Sequence, residues 1–186
     1  MKISVTGNCQ TKALSWYIQQ LNNTWDVKWV CPEFWMTEWG KDPTFEGKPI
    51  NLITDIKKGV ERFQDSDYII YQHLSEGISK NFTEIKLKKY GTKSKLTSIS
   101  SFYYEPDDLE QKYLKGMIER AEKFNIDIPA HKIIEKHGSK IGIRTFNHPK
   151  VFYFLELVRE ICKRNGWEYY NNEQYNQYLE DAYPFG

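Results

Sequence analysis

The chain has 186 residues, of which 40% are apolar and 27% charged, so it suits one soluble domain around one substantial core. A formal net charge of +1 gives no overall attraction for a polyanion, which argues against nucleic acid as a partner. The longest apolar runs are far shorter than a membrane span. Aromatic residues reach 16%, a share that predicts a ring-lined groove or interface as well as a core.

The start of the chain predicts a βαβ unit. The run Ile3-Ser4-Val5 predicts a buried strand over 2–6. Residues 11–21 repeat their apolar positions with a helical period, and residues 25–30 alternate as a strand does. A right-handed crossover would make the two strands parallel.

The turn between the first strand and the first helix, Gly7-Asn8-Cys9-Gln10, presents a cysteine where α/β enzymes often carry a nucleophile. A helix N-terminus offers unpaired N–H groups and a partial positive charge, and both favour a thiolate. The alternative is that Cys9 simply fills the first turn, because free cysteine is among the most buried residue types.

An aromatic loop is predicted over 33–48, after Pro32 ends the second strand. The loop follows the carboxyl end of a strand, which is the side where open α/β sheets bind ligands. Trp35 and Trp39 would then contact a ligand as part of a lid. The alternative, equally weighted, is an irregular segment whose rings cover the core.

The middle of the chain predicts a helix over 50–64 and a buried third strand over 67–72. This strand ends on polar residues, Gln72 and then His73, which could line a site. A fourth strand is predicted over 96–102.

The second half predicts a helix opened by Asp107 as its N-cap, then a helix over 129–136 and an extended segment over 138–145. His131 and His137 fall in or near a charged helix, where solvated side chains are the favoured interpretation.

His148 is the best candidate for a general base. The residue before a proline is biased toward an extended conformation, which places this imidazole at the mouth of the final helix. An ordinary helix N-terminal residue is the equally weighted alternative. Pro149 is predicted at the first helical position, and Asn165-Gly166 ends the helix.

No repeat or linker divides the chain, so residues 1–186 are expected to form one domain with an aromatic tail over 167–186, where exposed rings would allow a homodimer. Three cysteines cannot all pair, and the start of the chain enters a strand without a secretory leader, so we expect free thiols in the cytoplasm.

No spacing indicates a zinc site or a nucleotide phosphate loop. The lysine-rich stretch 80–95 could meet phosphates, but a solvated loop or hairpin is favoured.

Several motifs together resemble one family, the WcbI-like polysaccharide biosynthesis proteins, which are regarded as acetyltransferases of bacterial capsule assembly. The opening resembles the first block of the SGNH hydrolase-like fold, with cysteine in place of the serine nucleophile. The blocks that carry the resemblance are the strand-Gly7-Asn8-Cys9-Gln10-helix opening, the strand 67–72 that ends on glutamine, the segment 98–107 and Asn147-His148-Pro149.

The resemblance implies a three-layer α/β/α sandwich with a mainly parallel, flavodoxin-like sheet. It also implies a site at the carboxyl ends of the strands that binds coenzyme A or acetyl-CoA as a substrate. Carried over, Cys9 is the nucleophile or a thiol-site residue, and His148 is the general base. Asn8, Gln72 and the backbone N–H of Gln10 would face an oxyanion.

One departure concerns the orientation of the predicted base. SGNH proteins carry an acid three residues before their histidine, whereas this chain has Thr145 there. A second departure is Ser98, where the family pattern leads us to expect proline.

The first hypothesis for function is a CoA-linked acyltransferase acting on a sugar or polysaccharide hydroxyl by Cys/His chemistry. An esterase or thioesterase would use the same residues with water as the acceptor. A third hypothesis is a non-catalytic module that binds a glycan or a nucleotide-like ligand through Trp35 and Trp39.

Overall fold

The structure is a computed structural model that describes residues 1–7, 9–30, 44–45, 48–49, 61–73, 93–102, 109–138, 143–145 and 148–169. Its strands are β1 (Lys2–Thr6), β2 (Asp26–Val30), β3 (Thr44–Phe45), β4 (Lys48–Pro49), β5 (Tyr68–His73), β6 (Lys95–Ser100), β7 (Ile143–Thr145) and β8 (His148–Pro149). Its helices are α1 (Cys9–Leu21), α2 (Leu109–Lys123), α3 (Ala130–His137) and α4 (Val151–Asn165).

The central feature is a parallel sheet with the strand order β2-β1-β5-β6. A parallel bridge between Ile99 and Ile128 extends the sheet beyond β6. Two shorter antiparallel pairs, β3 with β4 and β7 with β8, lie outside it. The predicted α/β class is therefore confirmed. The predicted βαβ unit is confirmed too, because β1 and β2 are parallel neighbours joined by α1.

The core lies where α1 packs on β1 and β2 and against α4. Ala13, Leu14, Tyr17 and Ile18 of α1 are almost completely inaccessible, and the Tyr17 ring stacks on Phe154 of α4 with the ring centroids 5.3 Å apart. Val5 and Ile70 are register partners on neighbouring strands, and both belong to this core. The helical and strand periodicities seen in the sequence thus identify surfaces that pack on each other.

The final helix ends as predicted and begins later than predicted. Gly166 adopts the left-handed conformation after α4, and its N–H donates to the carbonyl of Cys162. The placement of Pro149 at the first helical position is wrong, because that residue belongs to β8 and α4 begins at Val151. The reason is tertiary pairing: β8 forms a short ladder with β7, and proline is tolerated at the edge of such a ladder.

Other predicted elements are recovered to within a few residues. The fourth predicted strand is β6, the helix after Asp107 is α2, and the next helix is α3, with Pro129 at its N-cap. The Asp107 cap itself lies outside the described residues. So do most of the helix predicted over 50–64 and, except for β3 and β4, the aromatic loop over 33–48.

Candidate functional site

The sheet reverses its direction of growth between β1 and β5. From β1 the chain crosses to β2 on one side, whereas β5 and β6 add on the other side. In open α/β sheets, ligands bind in the crevice at the carboxyl ends of the strands where this reversal occurs. Here that crevice is bordered by Gly7, by the start of α1 at Cys9 and by the end of β5 at His73.

Gly7 is required by the close approach of the β1–α1 turn to β5. Its φ is +150°, in a region that side chains rarely adopt. A Cβ atom at this position would lie 2.6 Å from Gln72 Cβ and 2.6 Å from Thr11 Cγ2. The turn that leads to Cys9 therefore lies directly against the end of β5, and only glycine fits there.

A buried hydrogen-bond network joins the first turn of α1 to β5 and to Phe102, which follows β6. Gln10 Oε1 accepts from Phe102 N at 3.0 Å and from Gln72 Nε2 at 2.8 Å, while Gln10 Nε2 donates to Phe102 O at 2.9 Å. Gln10 and Gln72 are 5% and 4% exposed. The Gln10 amide pairs with both backbone groups of Phe102, as a neighbouring strand would, and that pairing fixes which way the amide faces.

The structure brings two of the predicted site residues, Gln10 and Gln72, into direct contact. Cys9 precedes Gln10 as the first residue of α1. The side chains of Cys9, His73 and His148 are outside the described part of the structure. Asn8, Trp35 and Trp39 are outside it entirely.

His148 lies in β8, immediately before α4, and α4 packs against α1. The β7–β8 register pairs Thr145 directly with His148. Thr145, at the position where SGNH proteins carry an acid, is therefore a direct neighbour of His148 in the β7–β8 ladder.

Two buried hydroxyl groups at this end of the sheet were not identified from the sequence. Thr6 ends β1, Ser100 ends β6, and they are 3% and 7% exposed. Within the described structure neither hydroxyl oxygen has a hydrogen-bond partner. Buried polar groups of this kind usually bind water or a ligand. A polar side chain that ends a buried strand is the sequence signal that could have identified them.

A cavity of about 310 Å³ lies between α3 and α4 and is lined by charged side chains of both signs. At its wall Glu156, only 4% exposed in its side chain, is an ion-pair partner of Arg159 and of Lys136. His137 Nε2 lies 2.8 Å from Glu156 Oε2. Because both cations and carboxylates line it, the cavity favours no single class of charged ligand.

The two histidines of α3 differ from the solvated state predicted for them. His131 is 7% exposed, and burial lowers its pKa below the ordinary value of 6.5, with nearby Glu135 opposing that shift. The side chain of His137 is only 15% exposed. The charged surroundings of α3 masked the fact that one of its faces is part of the core.

Cys162 is a useful internal reference for thiol chemistry. It is a free cysteine on the buried face of α4, and desolvation raises the pKa of its thiol to about 12. Such a thiol is protonated at neutral pH. Reactivity of a cysteine in the folded protein therefore comes from another position.

Within the described residues, no three His, Cys, Asp or Glu side chains are grouped as metal ligands would be. No helix in that part of the chain has the length and apolar content needed to cross a membrane. No protein-family model matches the sequence, and no match is found among curated proteins.

Proposed function

We propose that the protein is a CoA-dependent acyltransferase that acetylates a sugar or polysaccharide hydroxyl, on a flavodoxin-like three-layer sandwich. The observation that carries the proposal is the position of the β1–α1 turn. This turn places the Cys9 backbone at the switch point of a parallel sheet, where ligands of such sheets bind. The close fit of Gly7 against β5 supports a site whose geometry is tightly constrained.

The first half of the reaction forms an acyl-enzyme. His148 takes the proton of the Cys9 thiol, and the sulfur attacks the thioester carbonyl of acetyl-CoA. The tetrahedral oxyanion is stabilised by backbone N–H groups at the start of α1, including that of Gln10. The carbon–sulfur bond to CoA then breaks, and the CoA thiolate leaves with the proton that His148 returns.

The second half transfers the acyl group. A sugar hydroxyl attacks the Cys9 thioester while His148 accepts its proton, and the Cys9 thiolate leaves. With water as the nucleophile, the same steps would release acetate. The thiol must stay reduced between cycles, which is why we expect the protein to act in the cytoplasm.

Asn8 and Gln72 are proposed to add polar contacts to the oxyanion. The amide nitrogen of Gln72 donates to Gln10 Oε1 in the structure, and this contact also suits a role in holding α1. Mutation separates the two roles. Loss of an oxyanion donor slows turnover by roughly 10²–10³-fold without weakening the fold, whereas loss of a structural contact lowers stability as well.

The experiment that tests the function follows the release of CoA thiol from acetyl-CoA, with and without a panel of sugar acceptors. We expect acceptor-dependent release that Cys9→Ala and His148→Ala each abolish, with Cys31→Ala as the cysteine control. Release of free acetate without acceptor would instead identify a hydrolase. Unchanged rates in both variants would contradict the proposed chemistry. Ligand-induced change in tryptophan fluorescence without turnover would favour a binding module.

A further inference from the structure

Helix α1 carries two glutamines that bind backbone groups in the same way, one near each end. Gln10 pairs with the N–H and C=O of Phe102, as described above. Near the other end, Gln19 Oε1 accepts from Val27 N at 3.1 Å, and Gln19 Nε2 donates to Trp25 O at 2.8 Å. Only the first of these pairings lies beside Cys9.

We propose that Gln10 is a positioning residue whose amide fixes the first turn of α1 and thereby makes Cys9 reactive. The proposal relies on the proposed function only in taking Cys9 as the reacting group. The free N–H groups and partial positive charge of a helix act on a thiolate only within the first turn. That turn is also the part of a helix that frays most readily.

The Gln10 contacts oppose this fraying. Its side chain bonds to Phe102, which follows β6, and to Gln72 in β5, so the first turn is attached to the sheet at two points. Gln10 and both of these partners are buried. While these bonds hold, the helical N–H groups next to Cys9 stay aligned. Without them the turn can open, and the thiolate loses its stabilisation.

The chemistry requires an amide at position 10. Methionine has a similar length and flexibility but neither donates nor accepts as an amide does. Glutamate would present only acceptor oxygens to Phe102 O and would lose the donated bond. Gln10→Met therefore removes the contacts at nearly constant volume, and Gln19→Met is the matched control on the same helix.

The test measures the rate of alkylation of Cys9 by iodoacetamide against pH, in a Cys31→Ala background where the thiol of Cys162 is protonated and buried. We expect Gln10→Met to raise the pH midpoint and to slow alkylation at neutral pH roughly tenfold, the size of a helix-terminus effect. Gln19→Met should leave the profile of Cys9 unchanged although it also lowers the melting temperature. Gln10→Glu should not restore the native profile.

Equal shifts of the alkylation midpoint in Gln10→Met and Gln19→Met would overturn the proposal, and so would an unshifted midpoint in Gln10→Met. Failure of Cys9 in the native chain to react with iodoacetamide at any pH would also overturn it. If Gln10→Met does not fold, Gln72→Met tests the same claim, because it removes the hydrogen bond from Gln72 Nε2 to Gln10 Oε1 and should give a smaller shift in the same direction. An unchanged profile in that variant would also overturn it. Alkylation does not depend on acetyl-CoA, so the positioning role and the acyltransferase activity can fail separately.

Discussion

The two ends of helix α1 are both held by a glutamine amide, yet the contacts differ in burial and in range. Gln19 is half-buried and pairs with Trp25, 6 residues further along the chain. Gln10 is 5% exposed and pairs with Phe102, which is 92 residues away. The Gln19 contact shapes a local turn, whereas the Gln10 contact can form only after the sheet has assembled. Of these two glutamine contacts, the long-range one is thus at the end that carries Cys9.

The most severe test of this comparison is Gly7→Ala, just before the N-terminal end of α1. Both the φ of +150° and the 2.6 Å contacts oppose a Cβ atom. We expect the free energy of unfolding to fall by about 3–5 kcal/mol in denaturant titrations. Gly166→Ala, at a position with φ of +71° and open space around it, should cost only about 1–2 kcal/mol. Similar losses in the two variants would show that the turn is not tightly packed.

A smaller effect is expected from the glutamines themselves. Gln10→Met leaves the backbone groups of Phe102 buried without their partner, so its free energy of unfolding should fall by about 2–4 kcal/mol. Gln19→Met lies where water can replace the amide, and about 1 kcal/mol is expected. Chemical denaturation of both variants measures the difference. A larger loss in Gln19→Met would reverse the comparison.

Dependence on pH sharpens the comparison, because amides do not titrate. The difference between the two methionine variants should stay constant from about pH 5 to pH 8. The free energy of unfolding of the native chain, by contrast, should change with pH. Burial lowers the pKa of His131, so the unfolded chain binds that proton more readily. Above the unfolded pKa of 6.5, His131 is neutral in both states and the free energy of unfolding is at its full value with respect to this group. That free energy falls progressively as the pH drops from 6.5 through the pKa of His131 in the folded chain.

The measurement is the free energy of unfolding against pH for the native chain and for His131→Asn. We expect the native curve to fall more steeply than the variant's on the acid side of neutrality. Parallel curves would show that burial of the His131 imidazole does not affect how the free energy of unfolding depends on pH.

The smallest effect is expected at the carboxyl end of β1. Thr6→Val keeps the shape of the side chain and removes a hydroxyl that has no partner in the described structure. Its free energy of unfolding should stay within about 0.5 kcal/mol of the native value or rise slightly. Ser4→Ala, in the same strand, breaks the 2.6 Å contact with Ser66 and should cost about 1–2 kcal/mol. A loss in Thr6→Val as large as that in Ser4→Ala would mean that the hydroxyl holds a bound water.

The elements that could be predicted from the sequence are those with a local periodic pattern of apolar residues. β1, α1 and β2 were found because apolar residues repeat with the period of each element. The side-chain hydrogen bonds of Gln10 to Phe102 were missed because Phe102 is 92 residues away and a single polar residue carries no periodic signal. Pro149 was misplaced because pairing with β7 overrode its local preference for a helix start. The burial of Glu156 was missed because its partners on α3, Lys136 and His137, meet it only in the folded chain.

The most direct test of the central claim is to incubate the protein briefly with acetyl-CoA and map the acetyl group by peptide mass spectrometry. The proposed site predicts a thioester on Cys9 that forms in the native chain, is absent from Cys9→Ala and is depleted when the true acceptor is added. Cys162, buried and with a thiol pKa of about 12, should stay unmodified. A chain that turns over acetyl-CoA with no acetyl group on Cys9 would contradict the account.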